Sequence, residues 1–154
     1  MPREFVDAQK INWLVYPGSH LKVALIESGS DGSALEVTGN PRGFASLAGI
    51  FLWLSSLTEG HEFLSVTALP FVAVSEPLAF SIELALSNDT RTQGRIVRLD
   101  KHQQFEWQVD DEMLAHVACE IHSIACRPER EYMDVSVADD SVAQLKFRLT
   151  SYEQ

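Results

Sequence analysis

The sequence predicts an α+β fold made of two strand–strand–helix–strand–strand units, with antiparallel sheets and a helix packed on each. Three observations carry this. Two stretches place apolar residues at helical spacing, several shorter ones alternate apolar and polar residues, and the order of the pattern starts again after residue 88. Hydrophobic residues make up 45% of the 154 and charged residues 22%, the balance of a folded domain rather than of a disordered chain.

The first unit spans residues 1–87 with an N-terminal extension. Within the extension, Phe5, Ala8 and Asn12 fit one helix face, while Trp13-Leu14-Val15-Tyr16 reads better as a strand, and Pro17-Gly18 makes a turn. Leu21 to Ser28 is rich in branched residues and reads as a strand; Gly29-Ser30-Asp31-Gly32 is a hairpin turn, and Ala34 to Thr38 returns. Asn40 then caps a helix with Pro41 in its first position. The helix runs to about Leu57, where Gly60 stops the pattern. Phe44, Leu47, Ala48, Phe51 and Leu54 form one apolar stripe, and Ile50, Trp53 and Leu57 lie nearly opposite. A helix apolar on two sides must be covered on two sides, by another part of the chain, a second copy or a partner. Glu62 to Leu69 and Leu78 to Leu86 read as strands, joined by an irregular edge that holds Pro70 and Pro77.

The second unit spans residues 88–154, after the loop-like Asn88 to Gly94. Arg95 to Asp100 and Phe105 to Val109 are strands, with Phe105, Trp107 and Val109 inward against Glu106 and Gln108. Asp110 or Asp111 caps a helix whose stripe is Leu114, Val117, Ala118, Ile121, Ile124 and Ala125, ending at Arg127-Pro128. Tyr132 to Val137 is a strand, Asp139-Asp140 a turn, and Gln144 to Thr150 the last strand. The repeat is one of pattern, with Leu35-Glu36 answering Phe105-Glu106 and Leu64-Ser65-Val66 answering Val135-Ser136-Val137. Two such units can pack pseudo-symmetrically in one globule, and a homodimer hides the second face of the first helix equally well.

Charge narrows the function. The formal net charge is −10, and the acid is no tail: residues 1–87 hold 9 acidic and 4 basic side chains, residues 88–154 hold 13 and 8. Nucleic acid and anionic membrane are disfavoured as partners, since both select clustered Lys and Arg. A basic protein is favoured. The N-terminus has no basic-then-apolar leader pattern, and the longest apolar stretch, Phe44 to Leu57, is interrupted by Ser46, Gly49, Ser55 and Ser56, so a cytoplasmic location is expected. Cys119 and Cys126 fall seven residues apart on one helix, too far for a bridge, which suits a reducing compartment.

Each motif with chemical potential has a structural counterpart. Cys119, His122 and Cys126 share a helix flank and are soft ligands, yet their spacing matches no closed zinc site, and the other reading is two small apolar cysteines packed at the core edge beside an ordinary His. His116 and Glu120 form an i, i+4 couple, either acid–base or a solvated pair. Gly18-Ser19-His20 lacks a nucleophile elbow and reads as a turn. Gly29-Ser30-Asp31-Gly32 leads into a strand and is no phosphate loop. Gly39-Asn40-Pro41-Arg42-Gly43 opens a helix and offers either an anion seat or a cap with a tight turn. Asp110-Asp111 and Asp139-Asp140 are paired carboxylates at caps or turns, suited to an acidic contact surface. No cofactor, metal or catalytic residue is expected. Trp13, Tyr16, Trp53 and Trp107 are the aromatic residues able to anchor a partner or fill the core.

The stretch Leu35-Glu36-Val37-Thr38-Gly39-Asn40-Pro41-Arg42-Gly43-Phe44, continuing through Leu47-Ala48 and Leu52 to Gly60-His61-Glu62-Phe63-Leu64, resembles small bacterial immunity proteins of polymorphic toxins. The resemblance spans about residues 35–64 and implies a strand, a Gly-Asn turn, a glycine early in an apolar helix and a strand that opens near a histidine. It implies a protein that neutralises a toxin domain by occlusion, with no catalytic residue of its own. The contact residues this suggests are Trp53, Asp110, Asp111, Asp139 and Asp140. Other readings are an acidic secretion chaperone for an exported effector, a small enzyme with a site assembled from His61, His116 and Glu120, and a scaffold subunit.

Overall fold

The computed structural model describes residues 6–28, 32–57, 62–74, 78–84, 95–98, 104–127, 132–136, 138–139 and 142–149. A short 3-10 helix (Ala8–Leu14) precedes β1 (Leu21–Ser28), β2 (Gly32–Gly39) and helix α1 (Pro41–Ser55). Strands β3 (Glu62–Ser65), β4 (Val72–Val74), β5 (Ala79–Leu84), β6 (Arg95–Arg98) and β7 (Gln104–Val109) follow. Helix α2 (Asp111–Cys126) leads to β8 (Tyr132–Ser136), β9 (Ala138–Asp139) and β10 (Val142–Leu149). The hairpin turn at Gly29–Asp31, the helix stop at Gly60, His61, the Asn88–Gly94 loop, Pro128 and Asp140 lie outside the described residues.

The fold is α+β, but its sheets are mixed rather than antiparallel. One has the order β4-β1-β2-β10-β8 and the other β3-β5-β7-β6-β9, so neither unit of the chain keeps a sheet to itself. The β1–β2 hairpin is antiparallel with Val23 opposite Val37, and β2 then runs parallel to β10 with Leu35 opposite Leu145. In the other sheet β6 and β7 are antiparallel, and β7 runs parallel to β5 with Trp107 opposite Ile82. Each sheet therefore joins two antiparallel pairs through one parallel seam. Each also carries a short parallel strand at one edge, β4 beside β1 and β9 beside β6. Alternation in sequence reports which face a residue takes, not strand direction, so the parallel seams leave no trace in it.

Period-two burial is plain in the first sheet: Leu21, Val23, Leu35, Val37, Leu145 and Phe147 are buried, while Lys22 is exposed and Glu36, Lys146 and Arg148 are at least partly so. A single apolar core runs from this sheet through α1 and α2 to Phe80, Ile82, Phe105 and Trp107 of the other. Phe51 of α1 meets Trp107 with ring centroids 6.2 Å apart and planes tilted by 57°. Such a tilted contact is favoured by the ring quadrupoles. Glu106 departs from the simple pattern, for it is fully buried although it points away from Phe105 and Trp107. It sits in the central strand between Ser81 of β5 and Val97 of β6, and its Oε1 accepts from Gln108 Nε2 at 3.3 Å.

Three local expectations need correction. Trp13 and Leu14 belong to the 3-10 helix, not to a strand, because Asp7 caps that helix by accepting from the Gln9 N–H. The linker between Pro70 and Pro77 contains the edge strand β4, and Asp139 lies in β9 rather than in a turn. The second apolar side of α1 is covered from within the chain. Ile11 of the 3-10 helix is fully buried, and Leu14 Cδ2 lies 3.9 Å from where a Cβ on Gly49 would stand.

Candidate protein-interaction surface

The motif that opens α1 is a structural clasp. Asn40 Oδ1 accepts from the Gly43 N–H at 2.8 Å and the His20 N–H at 3.1 Å, and its Nδ2 donates to the Gly18 carbonyl at 2.8 Å. Arg42 donates to the Pro17 carbonyl at 2.9 Å. These bonds take up the Gly43 N–H and one nitrogen of Arg42, two of the groups that an anion at the helix start would use. Glycine is required at positions 39 and 43 because a Cβ at either would overlap the His20 carbonyl oxygen. Ser19 is held in the same clasp, with its hydroxyl 2.6 Å from the Tyr16 carbonyl and 2.7 Å from Ser46 Oγ. Ser46 also accepts from the Tyr16 N–H at 2.8 Å.

The polar flank of α2 carries His116, Cys119, His122 and Cys126, all exposed, so the cysteines stand on the outer face of the helix and not packed at the core edge. Cys126 Sγ lies 3.6 Å from Nε2 and 3.7 Å from Nδ1 of His122. Near-equal distances to both ring nitrogens indicate a packed contact without one directed hydrogen bond. Among the described residues no group of three or more His, Cys, Asp or Glu is placed to hold a metal ion. Glu120 is half-buried one turn beyond His116.

The proposed contact residues divide between places. Asp110 is the N-cap of α2 and accepts from the Met113 N–H at 2.8 Å, with Asp111 and Glu112 in the first turn. Acid there is stabilised by the positive end of the helix dipole, a structural reason for its presence. Asp139 stands on β9 opposite Ile96, which in turn pairs with Trp107. The backbone at Asp139 is thus two strands from β7, roughly 10 Å away, near the end from which α2 starts. Trp53, on the last turns of α1, is half-buried against the core. Trp107 is wholly core.

Among the described residues the aromatic side chains that face outward are Trp13, 72% exposed, and Tyr16, 56% exposed, and Leu52 of α1 is 42% exposed. A 3-10 helix repeats every three residues, so side chains at i and i+3 line up. Ile11 and Leu14 form the column against α1, Lys10 and Trp13 form an outer one, and Tyr16 follows the extended Val15 beyond the helix. Reading this stretch as a strand hides that arrangement; the period-three spacing of Lys10 and Trp13 against Ile11 and Leu14 is the signal that reveals it. No helix among the described residues is long and apolar enough to cross a membrane. The chain matches no family model, no curated protein and no solved structure.

Proposed function

We propose that the chain is a bacterial immunity protein that binds a cognate toxin domain and neutralises it by covering its active site. The observation that carries this reading is a formal charge of −10 spread over both halves of a folded α+β chain, with Asp110, Asp111 and Glu112 gathered where α2 begins and Asp139 on a nearby edge strand. Enzymes that cleave nucleic acid bind phosphate with cationic surfaces. An acidic fold complements such a surface and reaches it quickly by electrostatic steering. The segment whose sequence resembles immunity proteins supports the reading through its local structure: strand β2, the Asn40 cap, Gly43 early in an apolar helix, then β3.

The same proposal includes an internal duplication. The order of pairings is alike in both sheets, and advancing each strand by five places turns one set of pairings into the other. The buried Leu114, Val117, Ala118, Ile121 and Ile124 of α2 follow Phe44, Leu47, Ala48, Phe51 and Leu54 of α1 by a constant seventy residues. Asn40 and Asp110 cap their helices through the same third N–H. In this reading the 3-10 helix, among the described residues, belongs to the first half only.

Calorimetric titration against the polypeptide encoded by the neighbouring gene, with its toxic active site inactivated, tests the function. One-to-one nanomolar binding that weakens as salt rises is the expected result. Binding only to an unfolded segment of that polypeptide would replace the inhibitor with a chaperone, and absence of binding would reject both.

A further inference from the structure

We infer that the exposed face of α2 is a metal site, in which His122 and Cys126 chelate a zinc-like ion and the same pair from a second copy of the chain completes its tetrahedral shell. This goes beyond the inhibitor reading and stands without it. Within Asp111–Cys126 the exposed side chains are Glu112, His116, Cys119, His122 and Cys126. They follow one another by four, three, three and four residues, the spacing of one helix face. All five are of metal-ligand types, and the helix holds no Lys or Arg, the usual residues of a solvated face. Both cysteines of the chain stand there, with two of its five histidines. Free cysteine is ordinarily a buried residue, and its reactivity or metal binding, rather than its packing, gives a reason for exposing it.

Geometry selects the two ligands. Cys126 Sγ lies 3.6 Å from His122 Nε2. Zinc holds sulfur at about 2.3 Å and imidazole nitrogen at about 2.0–2.1 Å, so two such ligands at the tetrahedral angle stand about 3.6 Å apart. The two donor atoms already have the separation the ion imposes, and turning the imidazole to aim a lone pair at the shared point is the adjustment left. Cys119 cannot join them, because roughly 10 Å of helix separates its Cα from that of Cys126, and two sulfurs on one zinc stand about 3.8 Å apart. Among the described residues no group of three or more His, Cys, Asp or Glu is placed to hold an ion, so one chain supplies two ligands. A closed zinc shell has four. A twofold axis beside the end of α2 brings the same pair again, giving two thiolates and two imidazoles from one self-complementary contact. The thiols give their protons to the buffer on binding. Two thiolates then cancel the charge of the ion, so the joint is neutral and adds no repulsion between chains that each carry −10.

The test is titration of the full chain, kept reduced, with Zn²⁺ and with Co²⁺ as its spectroscopic substitute, followed by sedimentation. Wild type is expected to take up about half an ion per chain, to show the intense visible bands of tetrahedral cobalt with thiolate charge transfer in the near ultraviolet, and to pass from monomer to dimer as metal is added. A chelator should reverse the change of mass. His122→Ala and Cys126→Ser should each lose the cobalt bands and the metal-driven dimer, whereas Cys119→Ser and His116→Ala should keep both. Thermal melts without metal check that each variant is folded. Absence of saturable uptake by wild type would overturn the site. One ion per chain with no change of mass would overturn the second copy as the source of the remaining ligands. Loss of the cobalt bands in Cys119→Ser would overturn the assignment of His122 and Cys126 as the pair.

Discussion

The Asn40 amide donates to the Gly18 carbonyl at 2.8 Å, and through that bond the turn before β1 is fixed to the start of α1, 22 residues later. The same side chain caps the helix through Gly43 and receives the His20 N–H. One residue thus closes three bonds at a nearly solvent-free joint, where unpaired partners are costly. Asn40→Ala is expected to lower stability by about 2–4 kcal/mol, the sum of a lost cap and two lost buried bonds. Asn40→Asp keeps the acceptor oxygen but sets a second oxygen against the Gly18 carbonyl, so it should restore only part of the loss. Urea unfolding midpoints at constant slope measure both.

Two glycines in one helix should respond to alanine with opposite sign. At Gly43 an added Cβ would stand 2.5 Å from the His20 carbonyl oxygen, a backbone atom that cannot turn aside. Gly43→Ala is expected to cost about 1–3 kcal/mol through overpacking. At Gly49 the nearest atom is Leu14 Cδ2 at 3.9 Å, an ordinary contact. Gly49→Ala should therefore show the intrinsic helix gain of about 0.5–1 kcal/mol. Equal effects at the two sites would refute the close approach of the His20 strand to α1.

These two positions also show what a sequence discloses and what it does not. The Asn40 cap, Pro41, both helical stripes and most strands were legible because each is written in local spacing. The strand partners were not. Which hairpin meets which depends on packing between distant segments, so the β2–β10 and β5–β7 seams escaped notice. Trp13 and Tyr16 were recognisable as anchors by type, but a strand reading did not separate Trp13, inside the 3-10 helix, from Tyr16, beyond its extended C-cap. The burial of Glu106 was equally hidden, since a strand's alternation fixes its direction and says nothing of what covers that side.

The three tryptophans occupy three environments: Trp13 largely open, Trp53 half-buried and Trp107 fully buried. Acrylamide quenching of the native protein should be heterogeneous, with a readily quenched fraction that disappears in Trp13→Phe. That variant should melt like the wild type, because the ring it alters is not part of the core. Trp107→Ala, which empties the contact with Phe51, is expected to cost about 3–5 kcal/mol. An unchanged quenching curve in Trp13→Phe would show that Trp13 is covered in solution.

Glu36 and Arg148 form an ion pair across the seam, with Nε 2.7 Å from Oε2, on side chains that are 20% and 41% exposed. Water screens such a pair, and Lys146 stands opposite Glu36 in register as another nearby cation. Glu36→Gln is therefore expected to cost less than about 1 kcal/mol. The difference should shrink further in 1 M salt, where the Debye length is about 3 Å. A loss of several kcal/mol in denaturant unfolding would mean that the pair is essential to holding β2 against β10.

Cys119 and Cys126 are both free and exposed on α2. Seven residues of helix separate their Cα atoms by roughly 10 Å, beyond the reach of about 7 Å that a disulfide allows. Both thiols should react with a disulfide reagent in the native state without prior unfolding. Mild oxidation of the folded protein should give cross-linked dimers through either cysteine, and each single Cys→Ser variant should still dimerise. An intramolecular bridge found by mass mapping would mean that the helix opens between residues 119 and 126 in solution.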